Sequence, residues 1–74
     1  MTTLDVRPTL AAGGDPFVEI MQAVAALAPG EELELIAPLD PVPLYDVLAS
    51  RGFDHVTERS GGGDFRITFR RSAV

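Results

Sequence analysis

The sequence contains no cysteine, no tryptophan and a single histidine. Without a thiol, the chain cannot form a disulfide, a zinc–thiolate site, a cysteine nucleophile or a persulfide. Basic residues are also scarce, since 6 Lys and Arg stand against 11 Asp and Glu and give a formal net charge of −5. Because nucleic-acid binding depends on a basic surface that neutralises phosphates, this balance predicts no nucleic-acid partner.

Long apolar runs are missing as well. The longest, AVAALA at 23–28, is far shorter than the ~20 residues that a membrane-spanning helix needs. The first residues, MTTLD, lack the basic and apolar regions of a signal peptide. We therefore expect no membrane partner and a cytoplasmic location. The 74 residues, 46% of them apolar, are typical of one small globular domain, here predicted to span 1–74.

The first half of the chain predicts a strand, a loop and a helix. Residues 3–7 alternate between polar and apolar, which predicts a strand with Leu4 and Val6 inward. A loop is predicted at 8–14. Asp15 is the expected N-cap of a helix and Pro16 its first residue. The helix is expected to continue to the Pro-Gly pair at 29–30, with an apolar face made of Phe17, Ile20, Met21, Val24, Leu27 and Ala28.

The middle of the chain repeats this order. Residues 31–37 alternate in period 2, which predicts a strand with Leu33, Leu35 and Ala37 buried. A second helix is expected to begin with Asp40 as its N-cap and Pro41 as its first residue. Its predicted buried stripe consists of Leu44, Val47 and Leu48.

The last third predicts a β-hairpin, with strands at 53–59 and 64–71 joined by a glycine loop. The inner face of its first strand is open to two interpretations, Val56 alone or the set Phe53, His55 and Thr57. The element order is therefore β-α-β-α-β-β. It predicts an α+β fold, a two-layer α/β sandwich with a four-stranded mixed sheet and both helices on one face. If strands two and four are antiparallel neighbours, glutamates 32 and 34 are expected to pair with arginines 66 and 70 on the other face.

Several segments in this order resemble a known superfamily: LDVR, DPF at a helix start, PGEELELI, DPVPLYDVL and FRITFRR. Together they resemble the TusA/SirA-like proteins, and within these most closely the bacterial family called domain of unknown function 2249 (DUF2249). The resemblance covers nearly the whole chain. It implies that strands one and two are parallel neighbours and that the last strand lies antiparallel between strands two and three.

The chain departs from the superfamily at its functional motif. TusA-type sulfur carriers have Cys-Pro-x-Pro at the first helix start, where the cysteine carries a persulfide. The corresponding residues here are Gly13, Gly14, Asp15 and Pro16, so the resemblance does not extend to sulfur transfer. Relatives often have a histidine before the second Asp-Pro pair, and Leu39 stands there in this chain. A metal or proton-transfer site is therefore not implied.

Parallel strands one and two would place both helix starts at one edge of the sheet, where ligands of open α/β sheets tend to bind. Helix N-termini favour anions there. The candidate binding residues at this edge are Arg7, Gly13, Gly14, Asp15, Asp40 and Tyr45. The simpler interpretation of the two aspartates is that both are caps worth ~1 kcal/mol each. GGDP lacks the Lys and Ser/Thr of a P-loop, and a lone His55 is more often packed or solvated than catalytic.

No catalytic residue, metal site or cofactor is predicted, because no nucleophile, ligand cluster or recognisable base is present. This favours a non-catalytic TusA-like binding or adaptor module that docks a partner protein through the edge where both helices start. The alternative is an accessory to a redox enzyme that binds a small anionic metabolite or cofactor at the same edge. The chain is expected to be a monomer or a weak homodimer formed through an edge strand.

Overall fold

A computed structural model of the protein describes residues 2–71, which form three helices and one four-stranded sheet. Met1 and residues 72–74, which the predicted domain includes, lie outside the described residues. The elements in chain order are β1 (Thr2–Asp5), α1 (Arg7–Ala11), α2 (Pro16–Ala25), β2 (Leu33–Ala37), α3 (Val42–Ala49), β3 (Phe53–Arg59) and β4 (Phe65–Arg71). The predicted α+β class and open mixed sheet are confirmed. None of the helices in residues 2–71 is long and apolar enough to cross a membrane.

The strand order in the sheet is β1-β2-β4-β3. β1 runs parallel to β2, with Leu4 opposite Leu35. β4 lies antiparallel between β2 and β3, with Ile67 opposite both Leu35 and Thr57. This is the order that the family resemblance implied. It leaves β1 and β3 at the two edges of the sheet, and an edge-strand homodimer stays a prediction.

The core lies between the sheet and the longer helices. β2 buries Leu33, Leu35 and Ala37, as its alternation predicted, and β4 adds Ile67 and Phe69. The side chains that meet them from the helices and the turn after α2 are Ile20, Val24, Leu27, Leu44 and Leu48. Among residues 2–71 no polar or charged side chain is buried. Burial of apolar area is therefore the main contribution that holds α2 and α3 on one face of the sheet.

The opposite face of the sheet carries cross-strand ion pairs. Arg66 lies 3.5 Å from Glu34, and Arg70 lies 4.0 Å from Glu32, so the pairing predicted from the strand pattern is confirmed. Since all four side chains reach solvent, each pair contributes well under ~1 kcal/mol to stability. These pairs neutralise Glu34 of β2 and Glu32, which immediately precedes the strand.

The structure decides which side of β3 faces the helices. Phe53 is buried, and His55 and Thr57 contact Tyr45 of α3. Val56 lies on the open face with 56% of its surface exposed. The set of three, and not Val56, is therefore the inner face of this strand.

The segment after β1 differs from the prediction. The strand ends at Asp5, not at 7, and a short helix occupies Arg7–Ala11, where a loop at 8–14 was predicted. Pro8 lies in the first turn of this helix, where its missing N–H is not needed. The Arg7 N–H donates to Asp5 Oδ1 at 3.0 Å, which fixes the turn from strand to helix. Val6 is buried as predicted, but as the N-cap residue of α1.

Two helix boundaries also shift. α2 ends at Ala25, before the predicted stop at 29–30, although Leu27 still reaches the core from the turn that follows. α3 begins at Val42, one residue after the predicted start. Within α3, Leu44 and Leu48 are buried as predicted, whereas Val47 is only half-buried. Ala28, assigned to the inner face of the first predicted helix, is exposed.

Candidate functional site

An open apolar groove lies between the beginnings of α2 and α3, and is called here the helix-start groove. It encloses about 260 Å³ and is lined by Asp15, Pro16, Phe17, Ile20, Pro41, Pro43, Leu44 and Val47. Because β1 and β2 are parallel, the chain leaves both strands at the same edge of the sheet and starts α2 and α3 side by side. The predicted binding edge is therefore a concave surface.

The two walls of the groove have the same spacing. α2 contributes Pro16, Phe17 and Ile20, and α3 contributes Pro43, Leu44 and Val47. In each case the residues stand at i, i+1 and i+4, which places them on one side of a helix. The helix that forms each wall has a proline in its first turn. Because the proline ring restricts φ, it fixes the backbone at the start of the helix.

Phe17 does not join the core as its place in the apolar pattern predicted. It is 43% exposed and lines the groove, whereas Ile20, one turn later on the same wall, is 4% exposed. The first turn of α2 borders the gap between the two helices, and no other element of residues 2–71 lines that gap. Phe17 is therefore only half-buried and forms part of the groove surface.

Asp15 is the N-cap of α2, as predicted. Its backbone is extended, and its Oδ1 accepts a hydrogen bond from the Phe17 N–H at 2.9 Å. The carboxylate thus occupies a free donor of the first turn and places a negative charge at the positive end of the helix dipole. An anionic ligand at this helix start would have to displace it.

Gly13 and Gly14 close α1. The Gly13 N–H donates to the Leu10 carbonyl and the Gly14 N–H to the Thr9 carbonyl, which is the Schellman pattern of helix ends. Gly13 has a positive φ of 78°. A side chain at Gly14 would lie 3.1 Å from the Thr9 methyl group. Both glycines therefore have a structural reason within the turn, and neither lines the groove.

Asp40 is not the cap of α3, so this prediction is wrong. The N-cap is Pro41, no side chain caps this helix, and the Val42 N–H bonds to the backbone carbonyl of Asp40. The carboxylate of Asp40 instead accepts a hydrogen bond from the Tyr45 hydroxyl at 2.5 Å. Tyr45 offers a strong donor one turn into α3, and the side chain turns to it.

Tyr45 joins α3 to β3. Its hydroxyl lies 2.5 Å from Thr57 Oγ1, and its ring stacks on His55 with centroids 3.8 Å apart and planes 6° from parallel. Since the single tyrosine proton goes to Asp40, the Thr57 hydroxyl is the donor to the Tyr45 oxygen. Partial burial, reinforced by the hydrogen bond to Asp40, raises the pKa of Tyr45. The phenol therefore stays protonated at neutral pH and acts as a structural donor.

Arg7 is held away from the groove. Its guanidinium contacts Asp5 and Asp64, each at 2.7 Å. The hydrogen bonds from Arg7 lower the pKa of Asp5, and those to Asp5 and Asp64 raise the pKa of Arg7. This clamp ties the end of β1 to the hairpin loop, and the two aspartates already compensate the charge of Arg7.

Of the six predicted site residues, only Asp15 lines the groove, and Asp40 adjoins it through Pro41.

A second concavity of about 250 Å³ lies on the open face of the sheet. Its lining residues are mostly of polar or charged type, and are Glu32, Asp54, His55, Val56, Thr68 and Arg70. Within residues 2–71, no group of three His, Asp or Glu side chains is close enough together to hold a metal ion. The helix-start groove is the more apolar of these two surfaces and the stronger candidate.

The comparison with family models bears on this site. Residues 3–71 match the model described as an uncharacterized conserved protein, DUF2249. The chain belongs to this family. The match confirms the nearer of the two resemblances and spans the groove, the Tyr45 contacts and the Arg7 clamp. No curated protein and no solved structure matches the chain.

The sequence of this DUF2249 chain predicted that both helices start at one edge of the sheet, but it did not show the apolar groove between them. The signal was present in the two Asp-Pro segments, DPFVEI and DPVPLYDV. Each contains a proline followed by apolar residues one and four positions later. Since either set alone is typical of an ordinary core-facing helix, only the packing of α2 beside α3 shows that they face one another across a gap.

Proposed function

We propose that this DUF2249 chain is a non-catalytic docking module that binds a partner protein through the helix-start groove. The observation that carries the proposal is the apolar lining of the groove, with Phe17 43% exposed on one wall. Leu39 and Val42, 51% and 56% exposed, flank Pro41 at the start of the other wall. Exposed apolar surface that lines a groove marks interaction sites, whereas single exposed apolar residues do not.

The size and charge of the groove favour a protein side chain over a small molecule. Its volume of about 260 Å³ lies below the ~300–1,000 Å³ of most small-ligand pockets. Asp15 is the only charged residue among the lining side chains, and its carboxylate would repel an anion. An anionic metabolite or cofactor, the alternative, therefore has less support.

The non-catalytic part of the proposal follows from the same lining. Asp15 is the one ionisable group on it, and its carboxylate is engaged with the Phe17 N–H. A TusA-like descent completes the proposal. In that view the helix start that presents a persulfide in TusA-type carriers has become a contact surface, with Gly14 and Asp15 leading into Pro16.

A capture experiment tests this function. The wild-type chain, Phe17→Gln and Val18→Gln are immobilised and exposed to lysate of the host. Val18 is the matched control because it is 57% exposed on the same helix and does not line the groove. We expect a stoichiometric protein to bind the wild type and Val18→Gln but not Phe17→Gln. Equal capture by all three would contradict docking through the groove.

Native mass spectrometry of the chain purified from its host separates the two functions. A small molecule that co-purifies with the wild type and is lost from Phe17→Gln would support the metabolite or cofactor alternative. Thermal melts of both variants show whether either substitution unfolds the chain, since replacing a half-exposed phenylalanine is expected to cost about 1 kcal/mol.

A further inference from the structure

Charge is divided unequally along this chain. From position 8 to position 50 there is no Lys or Arg, and the acidic residues in that stretch are Asp15, Glu19, Glu31, Glu32, Glu34, Asp40 and Asp46. The same stretch contains both walls of the helix-start groove. The basic residues are Arg7 before it and Arg51, Arg59, Arg66, Arg70 and Arg71 after it.

The acidic residues beside the groove have no cationic partner within the described chain. Glu34 of β2 and Glu32, just before β2, pair with arginines of β4 on the open face of the sheet. In residues 2–71, no Lys or Arg lies within 4.0 Å of the carboxylates of Asp15, Glu19, Asp40 or Asp46. Glu19 accepts a hydrogen bond from the Thr9 hydroxyl. The helix layer therefore presents uncompensated negative charge.

Two of these charges, on Glu19 and Asp46, stand beside the walls of the groove without lining it. Glu19 stands three residues after Pro16, and Asp46 stands three residues after Pro43, which places each on the same side of its helix as the first lining residue. Asp15 lines the groove itself. An apolar gap thus lies between two helices that carry only negative charge.

We infer that the partner segment inserts an apolar side chain into the helix-start groove and flanks it with lysine or arginine. This inference rests on the proposed docking function. The apolar side chain is held by the removal of lining surface from water. The flanking cations meet the acidic residues of α2 and α3, which steers the encounter and fixes the orientation of the segment.

A second copy of this chain fits the groove poorly. Its helix layer would bring like charges together across the interface. Its sheet-face arginines 66 and 70 already pair with glutamates 34 and 32, and Arg7 is held by two aspartates. We therefore assign the groove to a different, cationic polypeptide; self-association of the wild-type chain through Arg51, Arg59 or Arg71 that is lost in Phe17→Gln would overturn this assignment.

A displayed library of random short peptides tests the inference without knowledge of the natural partner. The library is selected on the wild-type chain after removal of peptides that also bind Phe17→Gln. The survivors are synthesised and titrated into isotope-labelled protein while the backbone amide shifts are recorded. We expect enriched sequences with an apolar residue flanked by Lys or Arg, and shifts that concentrate on the groove-lining residues of α2 and α3.

Charge variants make the test quantitative. Asp46→Asn removes one groove-side charge, and Asp54→Asn removes an exposed charge on β3 as the control. We expect Asp46→Asn to weaken the selected peptides about two- to five-fold, Asp54→Asn to leave their affinity unchanged, and added salt to weaken binding to the wild type.

The results of these experiments distinguish the cationic partner from the proposed docking function. Peptides that need Phe17 but are neutral or acidic, or whose affinity is insensitive to salt and to Asp46→Asn, would overturn the cationic partner and leave docking in place. A selection that yields no Phe17-dependent peptide would remove the docking function, and the inference with it.

Discussion

Removing the hydrogen bond between Asp40 and Tyr45 should destabilise the chain by way of Tyr45 and not through the start of α3. A hydrogen bond contributes about 0.5–1.5 kcal/mol when neutral and more when one partner is charged. Because the 2.5 Å bond between Tyr45 and Asp40 is solvent-exposed, we expect Asp40→Ala to cost about 1 kcal/mol. In a domain of this size that corresponds to a fall in Tm of about 4–8 °C.

A double-mutant cycle isolates the contact. Tyr45→Phe removes the hydroxyl but keeps the ring that stacks on His55. In the Tyr45→Phe background, Asp40→Ala should cost almost nothing, which gives a coupling free energy of about 1 kcal/mol. Thr57→Val, which removes the second hydroxyl contact and keeps the branched side chain, should also couple to Tyr45→Phe.

The assay is urea unfolding followed by far-ultraviolet circular dichroism, with the slope of each transition compared to confirm that all variants unfold alike. A cost of Asp40→Ala that persists unchanged in the Tyr45→Phe background would refute this reasoning. That result would return Asp40 to the role of helix cap, which acts on backbone N–H groups and is independent of the tyrosine hydroxyl.

Three further predictions concern the N-cap of α2, the hydrophobic core and the loss of stability at low pH. Asp15→Ala should cost about 0.5–2 kcal/mol in thermal melts and Asp15→Asn much less, because asparagine caps nearly as well. Leu48→Ala, at a fully buried position, should cost about 2–5 kcal/mol in urea unfolding, and a smaller loss would show a loosely packed core. The hydrogen bond from Arg7 lowers the pKa of Asp5 in the folded protein. This pair therefore stabilises the fold at pH values above the pKa of Asp5 in the unfolded chain, about 4. The contribution is lost as the pH falls through the pKa of Asp5 in the folded protein. Arg7→Gln should therefore be less stable than wild type at pH 7 and lose less on acidification, and parallel curves of stability against pH would contradict this.

Several structural features that depend on residues close together in the sequence were predicted correctly. Asp15 caps α2 because its carboxylate reaches an N–H two residues away, and the inward alternation of β2 follows from the period of a strand. The pairing of the open-face ions followed from the alternation of strands two and four, on the condition that these strands are antiparallel neighbours, which the structure confirms. In each of these cases the governing interaction is local or is repeated along a regular element.

Packing between distant segments decided the rest. Asp40 has the sequence of a cap, yet the Tyr45 hydroxyl, which also contacts Thr57 of β3, takes its carboxylate. Arg7 is paired with Asp64, 57 residues further along the chain. Neither contact can be read from residue types, since each depends on which elements lie side by side.

The helix-start groove shows the same division. The sequence by itself determined two helices with Asp-Pro starts and apolar faces, and placed those starts at one edge of a mixed sheet. It could not determine whether Phe17 packs into the core or borders a gap, because both positions satisfy the same helical period. The tertiary structure decided this by the spacing of α2 and α3 on the sheet, which buries Ile20 and Leu44 and leaves Phe17 partly exposed to solvent.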